Sequence, residues 1–370
     1  MVEEGLLQIV REDGSYDASL EPKLSEDQMR TLYRTLVLVR ILDTRMLSLQ
    51  RQGRIGFYVP SSGEEASQVG SAAALQPGDW VFPAYREPGC ALWRGFPLVK
   101  LVCQFYGNAE DILKGRQMPN HYGSRDINFV TPSSPVGTQI PMAVGCAWAM
   151  KLRGDPAVSL VYFGDGATSQ VDFHVGMNFA GVFRAPVVFL CKNNQWAISV
   201  PVAKQTASKS LAVKATAYGF EGVRVDGNDV LAVYVATKKA VEKARAGDGP
   251  TMIEAVTYRM GPHSSSDDPT RYRKAEEVEF WRQRDPVERF RRYLDGKGVI
   301  DKASDAALRK AIDDSITEAV RYAEKVPAPP TETVFTDVYA DLPWHLREQM
   351  EEFVKGGFRR RPEEMGEFPL

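Results

Sequence analysis

Two polar residues with the chemistry of a cation site each follow an apolar run of the sequence. Asp165 lies within Gly164-Asp165-Gly166, and Asn194 ends the pair Asn193-Asn194. A carboxylate, an amide oxygen and the nearby carbonyl of Trp196 would form half of an octahedral shell around a hard cation, and Mg²⁺ takes its remaining ligands from water and phosphates. The glycines would let phosphate oxygens approach the backbone. These residues therefore predict a site for Mg²⁺ and a diphosphate, and the alternative is a tight turn and a polar loop.

The elements around these residues predict that they meet in space. The apolar runs 158–163 and 187–191 have the length and β-branched composition of buried strands. Between them, Ser169 and Asp172 have the spacing of a helix start. The helix would carry an apolar stripe of Val171, Val175, Phe179 and Val182. Strands of a βαβ unit are parallel, so Asp165 and Asn194 should share the sheet edge at which open α/β sheets bind ligands.

The remaining elements predict a largely parallel α/β domain. Ser25-x-x-Gln28 opens a long helix that ends near Gly53, and a second helix begins near Gly63. The strand Trp80-Val81-Phe82 precedes Tyr85 and Arg86. A further βαβ unit consists of 223–225, a helix from about Asp229, and 252–256. The turn Asp226-Gly227-Asn228-Asp229 is interpreted as a turn and helix cap, not as a second metal site.

The ends of the chain are predicted to lie outside this domain. We expect an N-terminal arm over 1–24, an α/β domain over 25–340 and a C-terminal tail over 341–370. From about 275, two charged amphipathic helices are predicted to form a solvated cap, and the run Arg359-Arg360-Arg361 a solvated tail. The segment 107–134 is predicted to be a functional loop, and 261–269 a mobile polar loop.

Composition excludes several classes of function. The 370 residues are 44% hydrophobic and 25% charged, with a net charge of −2, as in an ordinary globular protein. This balance gives no electrostatic case for nucleic acid or an anionic membrane. The acidic start Met1-Val2-Glu3-Glu4 does not have the basic, apolar character of a signal peptide. We therefore expect a cytoplasmic protein whose four cysteines are reduced.

Several motifs in order resemble those of a known family. Besides Gly164-Asp165-Gly166 and Asn193-Asn194, the chain contains Gly115-Arg116-Gln117-Met118-Pro119-x-His121 and His263-Ser264-x-Ser266-Asp267-Asp268. Together they resemble the alpha subunit of the decarboxylating component of 2-oxo acid dehydrogenase complexes, most closely the branched-chain type, over about residues 30–345. The resemblance implies the thiamine diphosphate-binding fold, thiamine diphosphate with Mg²⁺, decarboxylation of a 2-oxo acid and acyl transfer to a lipoyl group.

The resemblance also assigns roles to individual residues. It implies that Asp165, Asn194 and the Trp196 carbonyl bind Mg²⁺, and that His263 handles or orients protons during acyl transfer, with Ser134 and Tyr85 as further catalytic candidates. The 2-oxo acid pocket would be lined by Phe57, Tyr85 and Ser134. The cofactor would be contacted by Tyr85, Arg86, Ser134, Val136, Gly164, Asp165, Gly166, Ala167, Lys192, Asn194 and His263. A K⁺ ion would be held by Ser133, Pro135, Thr138 and Gln139, for which plain helix capping is the alternative.

The motifs account for one half of a thiamine diphosphate site. The pyrimidine half, with its activating carboxylate, would come from a beta subunit in an α2β2 heterotetramer, and a lipoyl-bearing acyltransferase would accept the acyl group. Within the family, a pyruvate or acetoin dehydrogenase alpha subunit is the alternative. Outside it, a Mg²⁺-dependent phosphoryl-transfer enzyme or a non-catalytic scaffold subunit remains open, although no phosphate-binding loop Gly-x-x-x-x-Gly-Lys-Ser/Thr is present.

Overall fold

The apolar runs form one parallel sheet and a small hairpin in the computed structural model, which describes residues 5–356. The strands are β1 (Leu6–Leu7), β2 (Trp80–Phe82), β3 (Ser159–Gly164), β4 (Val187–Asn193), β5 (Trp196–Ala197), β6 (Val200–Pro201), β7 (Gly222–Asp226) and β8 (Thr251–Val256). Six of them pair in the order β1-β7-β8-β4-β3-β2, and every pair is parallel. The antiparallel hairpin β5–β6 stands apart.

Helices cover both faces of the sheet. They are α1 (Glu26–Arg51), α2 (Glu65–Ala73), α3 (Pro88–Trp93), α4 (Leu98–Tyr106), α5 (Gln139–Leu152), α6 (Val171–Phe183), α7 (Val230–Arg245), α8 (Ala275–Arg282), α9 (Pro286–Gly296), α10 (Lys302–Ala323), α11 (Thr333–Thr336) and α12 (Trp344–Gly356). Alternate strand residues enter two separate cores, because successive side chains point to opposite faces. Leu160 and Tyr162 join the core with α1, α2 and α7, whereas Val161 and Phe163 join the core with α5 and α6. This confirms the predicted α/β class.

Two predicted helix starts are confirmed by their caps. Ser25 and Gln28 form a reciprocal capping box at the start of α1, in which each side chain accepts from the other residue's backbone N–H. The Asp229 carboxylate caps α7 by accepting from Leu231 N at 3.0 Å and Ala232 N at 3.2 Å. The interpretation of this turn as a cap is therefore correct.

The prediction for α6 is wrong in two respects. Residues Asp165–Ser169 form a 3₁₀ turn and α6 begins at Val171, so Ser169 does not cap the helix. The predicted stripe also faces solvent: Val171 is 74% exposed and Val182 67%, and Val175 and Phe179 are exposed as well. The face against α5 consists instead of Phe173, Gly176, Met177 and Ala180.

A small residue explains why α6 turns this face inward. A Cβ added at Gly176 would lie 2.7 Å from Ile140 Cγ2, so glycine permits the close approach of α6 to α5. The apolar stripe of α6 identified residues that could be buried, but close packing against α5 determined which residues are buried.

The C-terminal helices are more numerous and more buried than predicted. Five helices follow residue 275 instead of two. Phe290 of α9 and Ile316 of α10 are buried in the core that contains α1. These two helices are therefore part of the domain core and not a solvated cap, because their charged faces cover a continuous apolar face.

The N-terminal segment is attached to the sheet by a buried carboxylate. Strand β1 adds a parallel edge to β7, a pairing the sequence did not predict. Directly after it, the N–H groups of Ile9 and Val10 each donate to Asp229 Oδ2 at 2.6 Å. The same carboxylate thus holds the N-terminal segment and caps α7.

The predictions for the two ends of the chain fall partly outside the described residues. Met1–Glu4 and the Arg359–Arg361 run lie outside residues 5–356, as does the end of the predicted tail. The four cysteines are free thiols, as expected. Within residues 5–356, no helix has the length and apolar character to cross a membrane.

Replacing Asp229 with alanine should destabilise the protein and release the N-terminal segment. Loss of a helix cap costs about 0.5–2 kcal/mol, and a buried N–H left without an acceptor costs about 1–3 kcal/mol, so we expect the free energy of unfolding to fall by roughly 3 kcal/mol or more. Urea unfolding measures this change, and hydrogen exchange at Ile9 and Val10 should accelerate. Asp13→Ala, which removes an exposed carboxylate bonded to Ser15, is the control. Equal stabilities of the two variants would contradict the prediction.

Candidate active site

Four neighbouring strands end at one edge of the sheet, and each delivers polar residues to the same cavity. Arg86 follows β2, Asp165 follows β3, Asn194 follows β4, and His263 lies beyond β8. Because β8, β4, β3 and β2 are adjacent and parallel, their carboxyl ends converge as predicted. The cavity has a volume of about 400 Å³, which is in the range of small-molecule sites.

Most of the predicted site residues line this cavity. They are Phe57, Tyr85, Arg86, Ser133, Ser134, Val136, Gln139, Gly164, Asp165, Gly166, Ala167, Lys192, Asn194, Trp196 and His263. Two residues of the predicted K⁺ site, Pro135 and Thr138, do not line it; the Thr138 hydroxyl donates to the Pro135 carbonyl at 3.1 Å. The amide of Gln139 donates to the Tyr162 carbonyl at 2.8 Å.

Asp165 presents a buried carboxylate to the cavity. It is 1% exposed, and Gln205 Nε2 donates to its Oδ2 at 2.5 Å. Burial raises its pKa to about 6, against the opposing effect of the Gln205 hydrogen bond, and the nearby Glu64 charge also raises it. A carboxylate with a raised pKa has too little positive charge around it, so a bound cation would stabilise its ionised form.

Asn194 is oriented by a neighbouring carboxylate. Its Nδ2 donates to Glu64 Oε1 at 2.8 Å, and its Oδ1 accepts from Trp196 N at 3.2 Å. The amide oxygen therefore lies on the side of the Trp196 backbone. The Trp196 carbonyl accepts a hydrogen bond from Arg259 Nη1 at 3.1 Å, which occupies one of its two lone pairs.

Lys192 lies in the cavity wall but its charge is already paired. Its ammonium is 3.0 Å from Glu64 Oε2 and 2.5 Å from Glu87 Oε1, and all three residues are buried. Burial alone would lower the pKa of Lys192, but the two carboxylates raise it above its usual value. The family resemblance implied that Lys192 contacts the cofactor. In the structure it neutralises two buried glutamates.

Arg86 and His263 form one hydrogen-bonded unit. Arg86 Nη2 lies 2.9 Å from His263 Nδ1 and donates to the His263 carbonyl at 2.5 Å. Arg259 Nη1 approaches the same Nδ1 at 3.5 Å. Burial and the two guanidinium charges lower the pKa of His263 to about 3. Since both arginines are always protonated, Nδ1 is the acceptor and the ring proton lies on Nε2.

The residues assigned to the substrate side are connected through a histidine. Ser134 Oγ lies 2.8 Å from His121 Nε2. The His121 ring stacks on Tyr85 with centroids 6.2 Å apart, and Tyr85 meets the His263 ring edge-on at 6.4 Å. These aromatic contacts set the spacing between the residues that follow β2 and those of the distant loops.

The loop that carries His263 has more contacts than its polar sequence indicated. Asp267 accepts from His263 N at 2.7 Å and from the Tyr272 hydroxyl at 2.5 Å. Arg259 Nη2 donates to the same hydroxyl at 2.9 Å. Side-chain hydrogen bonds therefore hold the loop where apolar contacts do not.

Sequence reasoning missed four residues that shape the site: Glu64, His121, Gln205 and Arg259. Arg259 could have been found from its position just after a buried strand, the same signal that identified Asp165. His121 was part of a family motif but received no role. Glu64 and Gln205 gave no local signal, because their partners Asn194 and Asp165 are distant in the chain.

The cavity has the chemistry that a phosphate-bearing cofactor with a divalent cation requires. Among residues 5–356, no atom lies within 4 Å of a Cβ added at Gly164, so space remains beside the backbone next to Asp165. Gln205 Oε1 is buried and has no hydrogen-bond partner in the part of the chain that the structure describes, which leaves an acceptor for a bound molecule or its water. The donor set of carboxylate, amide oxygen and carbonyl fits Mg²⁺.

Three relatives with similar sequences are all named as 2-oxoisovalerate dehydrogenase alpha subunits. The chain is 47% identical over 328 residues to the 2-oxoisovalerate dehydrogenase subunit alpha 2 of Arabidopsis thaliana, covering 88% of this chain and 70% of that protein. It is 45% identical over 338 residues to the human 2-oxoisovalerate dehydrogenase subunit alpha, covering 91% and 76%. The Caenorhabditis elegans subunit is 44% identical, with 91% and 78% covered.

These comparisons also bear on location and family. All three relatives are named as mitochondrial proteins, so the prediction of a cytoplasmic location is wrong and the comparison points to a mitochondrial one. Residues 33–332 match the family described as dehydrogenase E1 component. With this match over most of its length, the chain belongs to the dehydrogenase E1 component family.

Proposed function

We propose that this protein is the alpha subunit of a branched-chain 2-oxo acid dehydrogenase, which decarboxylates substrates such as 3-methyl-2-oxobutanoate and acylates the lipoyl group of a partner acyltransferase. The observation that carries the proposal is the convergence of Asp165, Asn194, Arg86 and His263 at the ends of four adjacent strands. The substrate class is supported by relatives that are 44–47% identical and are named for 2-oxoisovalerate.

In this proposal, Mg²⁺ is held by Asp165, Asn194 and the Trp196 carbonyl, and the diphosphate completes its shell. Bound thiamine diphosphate supplies the electron sink for decarboxylation. The chain's contribution is to neutralise and orient the diphosphate. Gly164, Gly166 and Ala167 place backbone next to it, at the 3₁₀ turn that begins with Asp165.

Arg86 and His263 contact the diphosphate as donors of different kinds. Arg86 provides a fixed positive charge, and the residue is only 4% exposed. His263 is neutral, because its Nδ1 faces two guanidinium groups, so its Nε2–H is the donor. A neutral donor beside an arginine adds a hydrogen bond without a second full charge. This arrangement supports a role for His263 in orienting the diphosphate and a transferring proton at Nε2.

Support for a beta subunit comes from an apolar surface that residues 5–356 leave exposed. We define the α5–α6 face as the exposed residues Met142, Leu152, Val171, Val175, Phe179, Val182 and Phe183. The half-buried Trp148 of α5 stacks against Phe183 of this face, with ring centroids 4.6 Å apart. Contiguous apolar patches of this kind mark protein–protein contacts. We propose that the beta subunit covers it in an α2β2 assembly and supplies the pyrimidine half of the site.

The substrate pocket combines apolar walls with a polar end. Phe57, Met118, Val136 and Ile198 line the cavity, and so do Ser134 and His121, which are hydrogen-bonded to each other. Apolar walls suit the branched side chain of the substrate, and the hydroxyl suits its carboxylate or carbonyl. A K⁺ ion at Ser133, Pro135, Thr138 and Gln139 would brace this segment; the Pro135 carbonyl and the Thr138 hydroxyl are close enough to share one ion.

The function is tested by cofactor binding to the chain co-expressed with its beta subunit. Calorimetry should detect thiamine diphosphate binding that requires Mg²⁺, and ATP with Mg²⁺ should not compete. Asp165→Asn should weaken thiamine diphosphate binding by at least about 100-fold, since changes in residues that merely orient ligands already cost 10–100-fold. Unchanged affinity in this variant, or binding of ATP alone, would refute the proposal.

Substrate preference is tested by comparing 3-methyl-2-oxobutanoate with pyruvate. Burial of one or two extra methyl groups in the apolar pocket should be worth about 1–3 kcal/mol, or about 10–200-fold in kcat/KM. The assay is lipoyl acylation by the assembled complex. A kcat/KM for pyruvate equal to or above that for the branched acid would favour a pyruvate or acetoin dehydrogenase instead.

The state of His263 is tested by nuclear magnetic resonance of the cofactor-free protein. Its imidazole should remain neutral, with the proton on Nε2, from pH 8 down to pH 5, since its folded pKa is about 3. Because the unfolded chain binds this proton more tightly, the unfolding free energy should fall as the pH falls from 6.5 towards 3. His263→Gln, in which the signal is missing, identifies the resonance. A midpoint near 6.5 would show that the arginines do not face Nδ1 as described.

A further inference from the structure

Gln205 occupies one oxygen of the proposed metal ligand. It follows the 3₁₀ turn Val202–Lys204, and its Nε2 donates both to Asp165 Oδ2 at 2.5 Å and to the Val200 carbonyl at 3.0 Å. Two acceptors on one side require the NH₂ group there, so the amide cannot be reversed without placing its oxygen against a carboxylate. The orientation of Gln205 is therefore determined by hydrogen-bond chemistry.

This contact limits how Asp165 can bind a cation. The hydrogen bond from Gln205 fixes the rotation of the carboxylate and uses one lone pair of Oδ2, so Oδ1 is the oxygen that a cation meets without competing with a donor. Monodentate coordination suits Mg²⁺, which demands near-ideal octahedral geometry, whereas Ca²⁺ accepts six to eight oxygens and can bind a carboxylate through both of its oxygens. A carboxylate free of Gln205 could turn and bind through both oxygens.

The surroundings keep Gln205 in place. The bond from Gln205 N to the Val202 carbonyl at 2.9 Å closes the 3₁₀ turn, and Val202 N attaches this turn to the Gln195 carbonyl at 3.0 Å. A Cβ added at Gly166 would lie 2.7 Å from Ala197 Cβ and 4.0 Å from Gln205 Oε1, so the hairpin, the glycine turn and Gln205 pack closely together. Gln205 Oε1 is buried, lies near the same turn and accepts no hydrogen bond from residues 5–356, so it can accept one from a metal-bound water.

We propose that Gln205 is a positioning residue that makes the diphosphate site selective for Mg²⁺ over Ca²⁺ by reserving one oxygen of Asp165. This inference rests on the proposed function, because it concerns the same cofactor site. It assigns Gln205 an effect on the ratio of two metal affinities, which a residue that merely stabilises the loop would not change.

The test uses Gln205→Met in the chain co-expressed with its beta subunit. Methionine has a similar length but donates no hydrogen bond. Thiamine diphosphate binding is followed by tryptophan fluorescence, since Trp196 lines the cavity, in separate titrations with Mg²⁺ and Ca²⁺. The ratio of Mg²⁺ to Ca²⁺ affinity should fall by about 10-fold or more, the range typical of changes to residues that orient metal ligands. Gln205→Ala should give the same change if the methionine variant folds poorly.

Lys204→Met provides the matched control, because it changes the preceding, exposed residue of the same loop. Its affinity ratio should equal that of the unmodified protein. If both Gln205 variants keep the affinity ratio of the unmodified protein, whether the two affinities stay the same or fall equally, the inference is overturned and the proposed function stands. Absence of metal-dependent thiamine diphosphate binding in the unmodified complex would overturn both.

Discussion

The buried ion cluster of Glu64, Lys192 and Glu87 is the interaction on which the site depends. Lys192 on β4 is within 3.0 Å of one oxygen of each glutamate, one at the start of α2 and the other just before α3. It also donates to the Arg86 carbonyl at 3.2 Å. Removing one partner of a buried pair leaves an uncompensated charge and typically costs 3–5 kcal/mol. The cluster therefore connects the end of β4 to the starts of α2 and α3.

The consequences of this cluster spread through the cavity. Glu64 is also the acceptor for the Asn194 amide, so the charge on Lys192 indirectly orients a proposed metal ligand. The same positive charge lowers the pKa of Glu64 against the opposing effect of burial. On the other side, Arg86 is left to pair with His263, and this keeps the imidazole neutral. Asp165, Asn194, Lys192 and His263 are thus each held by a second polar group, which reduces the reorganisation needed when a charged cofactor binds.

The strand predictions and the helix caps at Ser25 and Asp229, which rested on local chemistry, agree with the structure, although the predicted cap at Ser169 does not. Predictions that depended on a partner surface are wrong. The strands that precede Arg86, Asp165 and Asn194 could be recognised because apolar runs of strand length ended in polar residues. The exposed stripe of α6 and the buried faces of α9 and α10 could not, because an amphipathic pattern identifies an apolar face without saying what covers it. In α6, the face that contains Gly176 is buried, because the missing Cβ of this glycine allows α5 to pack closely against it.

The sequence by itself determined the α/β class and the carboxyl-end location of the site, whereas most of the predicted lining residues came from its resemblance to a known family. The physical reason is that strand periodicity and strand direction are local properties, and parallel strands must end at a common edge. Only the tertiary structure decided which charges are paired. Lys192 neutralises buried glutamates, and His263 has its Nδ1 against Arg86. Gln205 donates a hydrogen bond to Asp165, and Glu64 accepts one from Asn194. Those outcomes depend on desolvation and on contacts between residues far apart in the chain, which no local pattern encodes.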